Sequence, residues 1–348
     1  MHRKYRNLDL LRALAVLWVF VCHGALMLHP GPTVNRLAEG LGRFGVILFF
    51  FHTSFVLMES LEALGPASPK WATTFYIRRA FRIYPLAILI IGLALVTRVP
   101  FAPWAPAWHE DRGPVTVLAN LLLSQNLIGR PAVIAPLWSL PIEIQMYAVL
   151  PLVFRVFARK NWRMGMTLCL IAASATAAVV YATTRHLNTL AFVPCFFSGA
   201  LAYKITRDHG PTRRASWWFP SILAVTALGV LFTLDIPVEW VLCFALAWIF
   251  PHLLDMRAGR LATLCEWTAK YSYGIYLTHV FGLWIGFTLL GKWLDSTALR
   301  VTAAVAITGL ASAMFFHLVE NPLIQVGKRI APGGGARRRS PESVKVEL

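Results

Sequence analysis

An all-α polytopic membrane protein with about ten transmembrane helices is the fold class that this sequence predicts, on three observations. The 348 residues are 57% hydrophobic and only 14% charged, with a mean hydropathy of +0.60, a mixture too apolar for a water-soluble domain of this length. Apolar residues recur in runs of roughly 20, the length a helix needs to cross hydrocarbon. The 33 Lys and Arg residues, against 16 Asp and Glu, fall in short clusters between those runs, as they do where positive loops orient helices in a bilayer. A net charge of +17 would also suit nucleic acid, but this clustering argues against it.

The runs lie near residues 8–28, 44–59, 81–99, 137–157, 166–181, 190–204, 217–234, 238–254, 271–290 and 298–318. A shorter stretch, 115–127, reads as an interfacial or re-entrant helix. The first run carries Asp9 and Arg12 and has no clear small-residue cleavage site, so it is expected to stay as the first span rather than leave as a signal. Ten spans with an internal N-terminus put both termini in the cytoplasm. The basic connections at 70–82, 155–163, 204–214 and 257–270 and the arginines at 337–339 then share that side, with about 25 of the 33 basic residues, as the positive-inside rule requires. Residues 1–323 are expected to form the transmembrane domain and 324–348 a flexible basic tail beside anionic headgroups. Cys22, Cys169, Cys195, Cys243 and Cys265 lack metal-ligand spacing and mostly fall within apolar runs, which suggests buried free thiols and no metal.

Ionisable groups inside a membrane are costly unless paired or wetted, so each one points to function by default. Arg12 and His23 share the first span, eleven positions apart. That is about 16 Å along the axis and about three turns, so both project from one stripe. Arg12 snorkelling to headgroups and His23 bonding in the interface would be the plainer explanation. Glu143 and Gln145 follow Trp138 and Ser139 at the start of the fourth span, near the expected depth of His23. A carboxylate that orients an imidazole lets the ring take a proton from a hydroxyl; the alternative is a structural Glu–Arg or Glu–His pair that fixes helix packing. Arg78, Arg79 and Arg82 stand at the entrance to the third span. Guanidinium groups grip phosphates through paired donors, and they also serve as topology anchors.

Together these residues resemble the acyltransferase family 3 membrane O-acyltransferases. The resemblance runs from about residue 5 to 322. It rests on Arg-Asn-Leu-Asp-Leu-Leu-Arg ending at Arg12 with His23 beyond it, on Arg79-x-x-Arg82, and on Trp138-Ser139-Leu140-Pro141-Ile142-Glu143 leading to Tyr147. It continues in Ser272-Tyr273-Gly274-Ile275-Tyr276-Leu277-Thr278-His279 and closes with Glu320-Asn321-Pro322. The resemblance implies transfer of an acyl group, often acetyl, from cytoplasmic acyl-CoA to a hydroxyl of a glycan, glycolipid or small molecule at the cell membrane. It implies His23 as the essential base in an Arg-x10-His motif, with Glu143 supporting it or binding acceptor. Arg12, Arg79 and Arg82 would hold the donor phosphates, and Trp138, Ser139, Gln145, Tyr147 and His279 would line the substrate site.

The sequence departs from the family at Phe49-Phe50-Phe51-His52-Thr53-Ser54-Phe55, where relatives carry a small Ser-Gly-Phe element. His52 is either a satisfied core histidine or an added polar group in the donor tunnel. The connection 100–136 holds Trp104, Trp108, His109, Glu110 and Asp111, which would suit a sugar or anchor the interface. Glu320 is expected to pair with arginines near the last span. A competing function is a transporter of acyl groups or acylated product that leaves transfer to a partner. A structural or sensory membrane component would leave the aligned Arg12 and His23 unexplained.

Overall fold

The computed structural model describes residues 5–29, 31–65, 69–105, 110–184, 189–209, 224, 236–253 and 255–333. The chain is helical almost throughout these segments, and eight helical stretches are long and apolar enough to cross a membrane. The helices are α1 (Arg6–Leu26), α2 (Pro32–Leu64), α3 (Trp71–Thr97), α4 (Pro114–Leu121), α5 (Leu140–Phe157), α6 (Trp162–Thr184), α7 (Thr189–His209), α8 (Ile236–Ile249), α9 (Arg260–Leu283), α10 (Thr297–Phe315) and α11 (Asn321–Ile330). Eight of the ten expected runs fall on spanning helices. The run at 238–254 falls on the shorter α8, and the run at 217–234 lies outside the described residues. The stretch at 115–127 is the short α4 followed by a 3₁₀ turn, Gln125–Ile128.

Two helices run well past the apolar runs that revealed them. α2 begins at Pro32, twelve residues before the run at 44, and takes in Glu39 and Arg43. α10 passes through a π-helical turn, Phe316–Glu320, directly into α11. The domain boundary expected at 323/324 therefore falls inside helix, and Arg78 Nε donates to the carbonyl of Ala331 (2.9 Å) just beyond it.

Helix contacts set which elements are central. α2 is buried by α1, α7, α5 and α3, whereas α6 and α10 keep broad apolar faces outward, including Leu168, Ile171, Val179, Val305 and Leu310. Such faces are stable only against lipid. Cys169 belongs to the outward face of α6; the other four thiols are buried, so the expectation of burial fails for this one residue. Without a hydrophobic drive between helices in lipid, close backbone approach through small residues holds them together. Gly199 of α7 lies so close over the Phe51 carbonyl that a Cβ would not fit, and the same holds for Gly282 of α9, and for Gly286 in the π-helical turn Trp284–Leu289 after it, against α10 at Ala304.

α1 and α9 pack side by side and run in the same direction. Their contacts rise in register: Arg6 Nη1 donates to Met256 O (3.2 Å), the Asn7 side chain accepts from the Met256 amide (2.9 Å), and Arg12 Nε donates to Ser272 Oγ (2.5 Å). His23 meets His279 further on. This pairing brings the two ends of the sequence together and positions the site.

Candidate active site

α9 serves as a ruler through the site. Ser272, Tyr273, Tyr276 and His279 lie along one side of it, about 10 Å from first to last at the helical rise. Three cavities are threaded along the same path.

The first cavity, about 50 Å³, lies at the arginine end and is lined by Arg12, His52, Thr53, Arg79, Arg82, Glu143, Tyr147 and Tyr273, among others. Three guanidinium groups thus meet around one small space. The carboxylates near them are Glu143 and Glu320, the latter an ion-pair partner of Arg82 (3.7 Å) and almost wholly buried. Glu320 ends the π-helical turn between α10 and α11; the extra residue in such a turn shifts side-chain direction relative to a regular helix. His52 is buried and faces this cavity rather than a purely apolar core.

The second cavity, about 20 Å³, is mostly apolar and is walled by Phe49, Phe50, Ser139, Leu140, Glu143, Tyr273 and Tyr276. It shares Glu143 and Tyr273 with the first cavity and Tyr276 with the third. Ser139 Oγ and the Tyr276 hydroxyl are 2.7 Å apart, and Tyr276 also donates to Pro136 O (3.0 Å). These bonds pin the start of α5 against α9 midway along the ruler.

The third cavity, about 210 Å³, lies at the histidine end, lined by His23, Glu39, Gly42, Arg43, Trp104, Trp138 and Tyr276 with apolar neighbours. Glu39, Gly42, Arg43 and Val46 follow helical spacing, so one face of α2 forms its floor. Arg43 donates through Nε to Glu239 of α8, and its guanidinium lies 5.6 Å from the centre of the Phe192 ring. His23 is stacked on Trp104, and its Nδ1 is 2.7 Å from Nε2 of His279.

The stretch that carries Trp104 is tied down from both sides. Ala135 N donates to Phe101 O (2.9 Å), Phe101 N donates to Glu110 Oε1 (2.7 Å), and Arg112 Nη2 donates to Val99 O (2.5 Å). Asp111 accepts from Thr116 Oγ1, Gly113 N and Arg130 Nη1. The Thr116 hydroxyl first, and the Gly113 amide and Arg130 after it, hold its carboxyl below the ordinary aspartate range. Trp108 and His109 lie outside the described residues.

Three expected placements change. Glu143 does not meet His23. It accepts from Tyr147 OH (2.5 Å), with Thr53 Oγ1 at 3.5 Å, in the arginine cavity. The reason is local: the chain before α5 folds back through two 3₁₀ turns, held by Gln125 Nε2 donating to Leu137 O and Asn120 Nδ2 to Pro131 O. α5 therefore starts below His279, and Glu143 comes in lower than its sequence position suggests. Gln145 bonds Asn126 and Thr189 with its two amide ends and lines none of the three cavities. His279 is buried behind His23 and also lines none of them. Of the others, Arg12, Arg79 and Arg82 lie at one end together with Tyr147, which was expected at the substrate site, Ser139 lies in the middle, and Trp138 lies with His23 at the other end. Arg43 and Glu39 were missed, because their charge made the sequence before 44 look like a loop.

A family model described as an acyltransferase domain matches residues 5–317, nearly the whole path just described. The chain belongs to acyltransferase family 3. It is a membrane O-acyltransferase. Among its relatives, Acyltransferase MdmB of Streptomyces mycarofaciens is 26% identical, with 92% of each chain covered. Nodulation protein 10 of Rhizobium leguminosarum bv. viciae is 24% identical over 92% of this chain and 93% of its own. No solved structure matches the chain. In this family 3 acyltransferase the Arg12-x10-His23 pair spans the three cavities from end to end.

Proposed function

We propose that the protein transfers an acyl group, acetyl in the first instance, from acyl-CoA to a hydroxyl of a glycan, glycolipid or small molecule, with His23 as general base. The observation that carries this reading is the row of three wall-sharing cavities with guanidinium groups at one end and an imidazole at the other.

The donor fits the arginine end by charge. Arg12, Arg79 and Arg82 outnumber Glu143 and Glu320 there, and guanidinium forks match phosphate oxygens. An extended pantetheine arm would follow the narrow apolar middle cavity past Tyr273 and Tyr276 and present its thioester at His23. Glu143 then acts as a positioning residue for the donor end, holding Tyr147 and balancing the guanidinium charge. The positive-inside distribution supports an arginine end that faces the cytoplasm, where acyl-CoA is made, in a protein of the cell membrane.

The acceptor belongs in the 210 Å³ cavity. Trp104 and Trp138 offer flat aromatic faces, and Glu39 and Arg43 offer hydrogen-bonding groups, a combination suited to a hydroxyl-rich ring. His23 takes the proton of the attacking hydroxyl as its oxygen bonds to the thioester carbon. The C–S bond breaks, and the departing thiolate takes the proton back, giving ester and free CoA thiol.

Purified protein in proteoliposomes, given radiolabelled acetyl-CoA and a hydroxyl-bearing glycan or lipid extract, tests this. Labelled ester is expected from wild type and not from His23→Gln. Label that enters the vesicles without ester formation, and does so equally in His23→Gln, would replace this reading with acyl-group transport.

A further inference from the structure

His279 lies outside the walls of the three cavities, yet it touches the one residue on which the proposed chemistry turns. The bonds it makes define which nitrogen of His23 is free. His279 Nδ1 is 2.7 Å from the backbone carbonyl of Tyr276. A carbonyl only accepts, so that Nδ1 carries the proton and, in a neutral ring, Nε2 carries a lone pair. His279 Nε2 is in turn 2.7 Å from His23 Nδ1. Since Nε2 accepts, His23 Nδ1 must donate. The neutral His23 ring then has its one proton on Nδ1 and a bare lone pair on Nε2.

We infer that His279 is a positioning residue which, through the Tyr276 carbonyl, fixes His23 in the Nδ1–H tautomer and leaves His23 Nε2 as the proton-accepting atom. This rests on the general-base role proposed above and gives that role its atom. When Nε2 takes the hydroxyl proton, His23 becomes an imidazolium whose Nδ1–H still donates to the His279 lone pair, so no bond need break as the charge forms. A neutral imidazole thereby supplies the orientation that a carboxylate supplies in other base pairs, without a second buried charge. Three features keep the geometry single. The His23 and His279 rings are parallel within 6°. Trp104 covers His23 in a plane 13° from its own. His279 is buried at 1% exposure, so water does not compete for its nitrogens.

The test reads the tautomer directly and is independent of turnover. Nitrogen-15 NMR of histidine-labelled protein in proteoliposomes, with the His23 signals identified by their loss in His23→Gln, is expected to show a protonated Nδ1 and an unprotonated Nε2. His279→Leu removes the acceptor and is expected to shift His23 toward the other tautomer and lower kcat by roughly 10- to 100-fold, with KM for donor and acceptor within about twofold of wild type. His279→Gln keeps an acceptor oxygen and is expected to retain the tautomer and to stay within about tenfold of wild-type kcat. A protonated Nε2 in wild type would overturn the inference. So would a His279→Leu protein with unchanged kcat and a raised acceptor KM, the behaviour of a substrate-binding residue. If His279→Leu does not fold, the wild-type spectrum and the Gln variant still decide. The inferred tautomer in a protein that forms no ester would uphold the His279 relay and sink the acyl-transfer chemistry instead.

Discussion

The indole of Trp104 lies parallel to the imidazole of His23, with ring centres 3.9 Å apart and planes 13° from each other. One residue comes from the connection after α3 and the other from the end of α1, so this stack ties a tethered loop to the proposed base. Aromatic pairs contribute about 0.5–1.5 kcal/mol beyond the area they bury. Trp104→Ala is therefore expected to lower kcat/KM for the acceptor about two- to tenfold and to leave donor KM unchanged. Trp104→Phe should fall between the two. Steady-state kinetics at varied acceptor concentration make the comparison, and a change confined to donor KM would place Trp104 at the wrong end of the path.

Arg79 and Arg82 predict the opposite signature. Replacing either by Gln removes a guanidinium fork from the proposed donor end but leaves His23 untouched, so donor KM should rise about tenfold or more with acceptor KM unaffected. Arg79→Lys should recover little, because a point charge does not reproduce paired donors. Arg82→Gln also strands the buried Glu320, so it should lower thermal stability where Arg79→Gln does not. Donor titrations and detergent-solubilised melting curves separate these effects.

Arg43 and Glu239 join α2 to α8 beside the 210 Å³ cavity proposed for the acceptor. Removing one member of a buried pair leaves the other charge uncompensated, typically at a cost of about 3–5 kcal/mol. Arg43→Leu and Glu239→Leu are each expected to reduce melting temperature strongly. The double Leu variant should recover much of the loss while remaining impaired in acceptor binding. A double variant as unstable as the sum of the singles would mean the pair does not act as a unit.

Gly199 gives a packing test far from the chemistry. A Cβ there would collide with the Phe51 carbonyl, whereas one at Gly92 would meet nothing within 4 Å. Gly199→Ala should destabilise by about 1–3 kcal/mol. Gly92→Ala, in an open helical position, should be neutral or slightly stabilising. Thermal unfolding of both variants in one detergent decides it, and equal behaviour would contradict the close α2–α7 approach.

The sequence made the apolar spans legible because lipid demands an unbroken run, and it made Arg12 and His23 legible as a stripe because eleven positions close three helical turns. Both residues do face α9. The partner of His23 was not legible. Depth along a helix was the guide, and it nominated Glu143, whose true level depends on how the preceding 3₁₀ turns fold back. His279 lies 256 positions from His23, and nothing local records that α1 and α9 are neighbours. Arg43 failed for a different reason. Hydropathy ends a helix at the first charges, yet a charge that finds a buried partner stays inside, and so α2 continued to Pro32.

The parallel packing of α1 against α9 also bears on how the protein is made. His23 emerges within the first helix to be synthesised, and His279 belongs to one of the last. A nascent chain that has inserted only the helices up to α8 carries the proposed base without the ring inferred to set its proton. On the roles proposed above, full competence for acyl transfer arrives late, when α9 docks, and a half-built chain in the membrane holds its base without the partner that orients it.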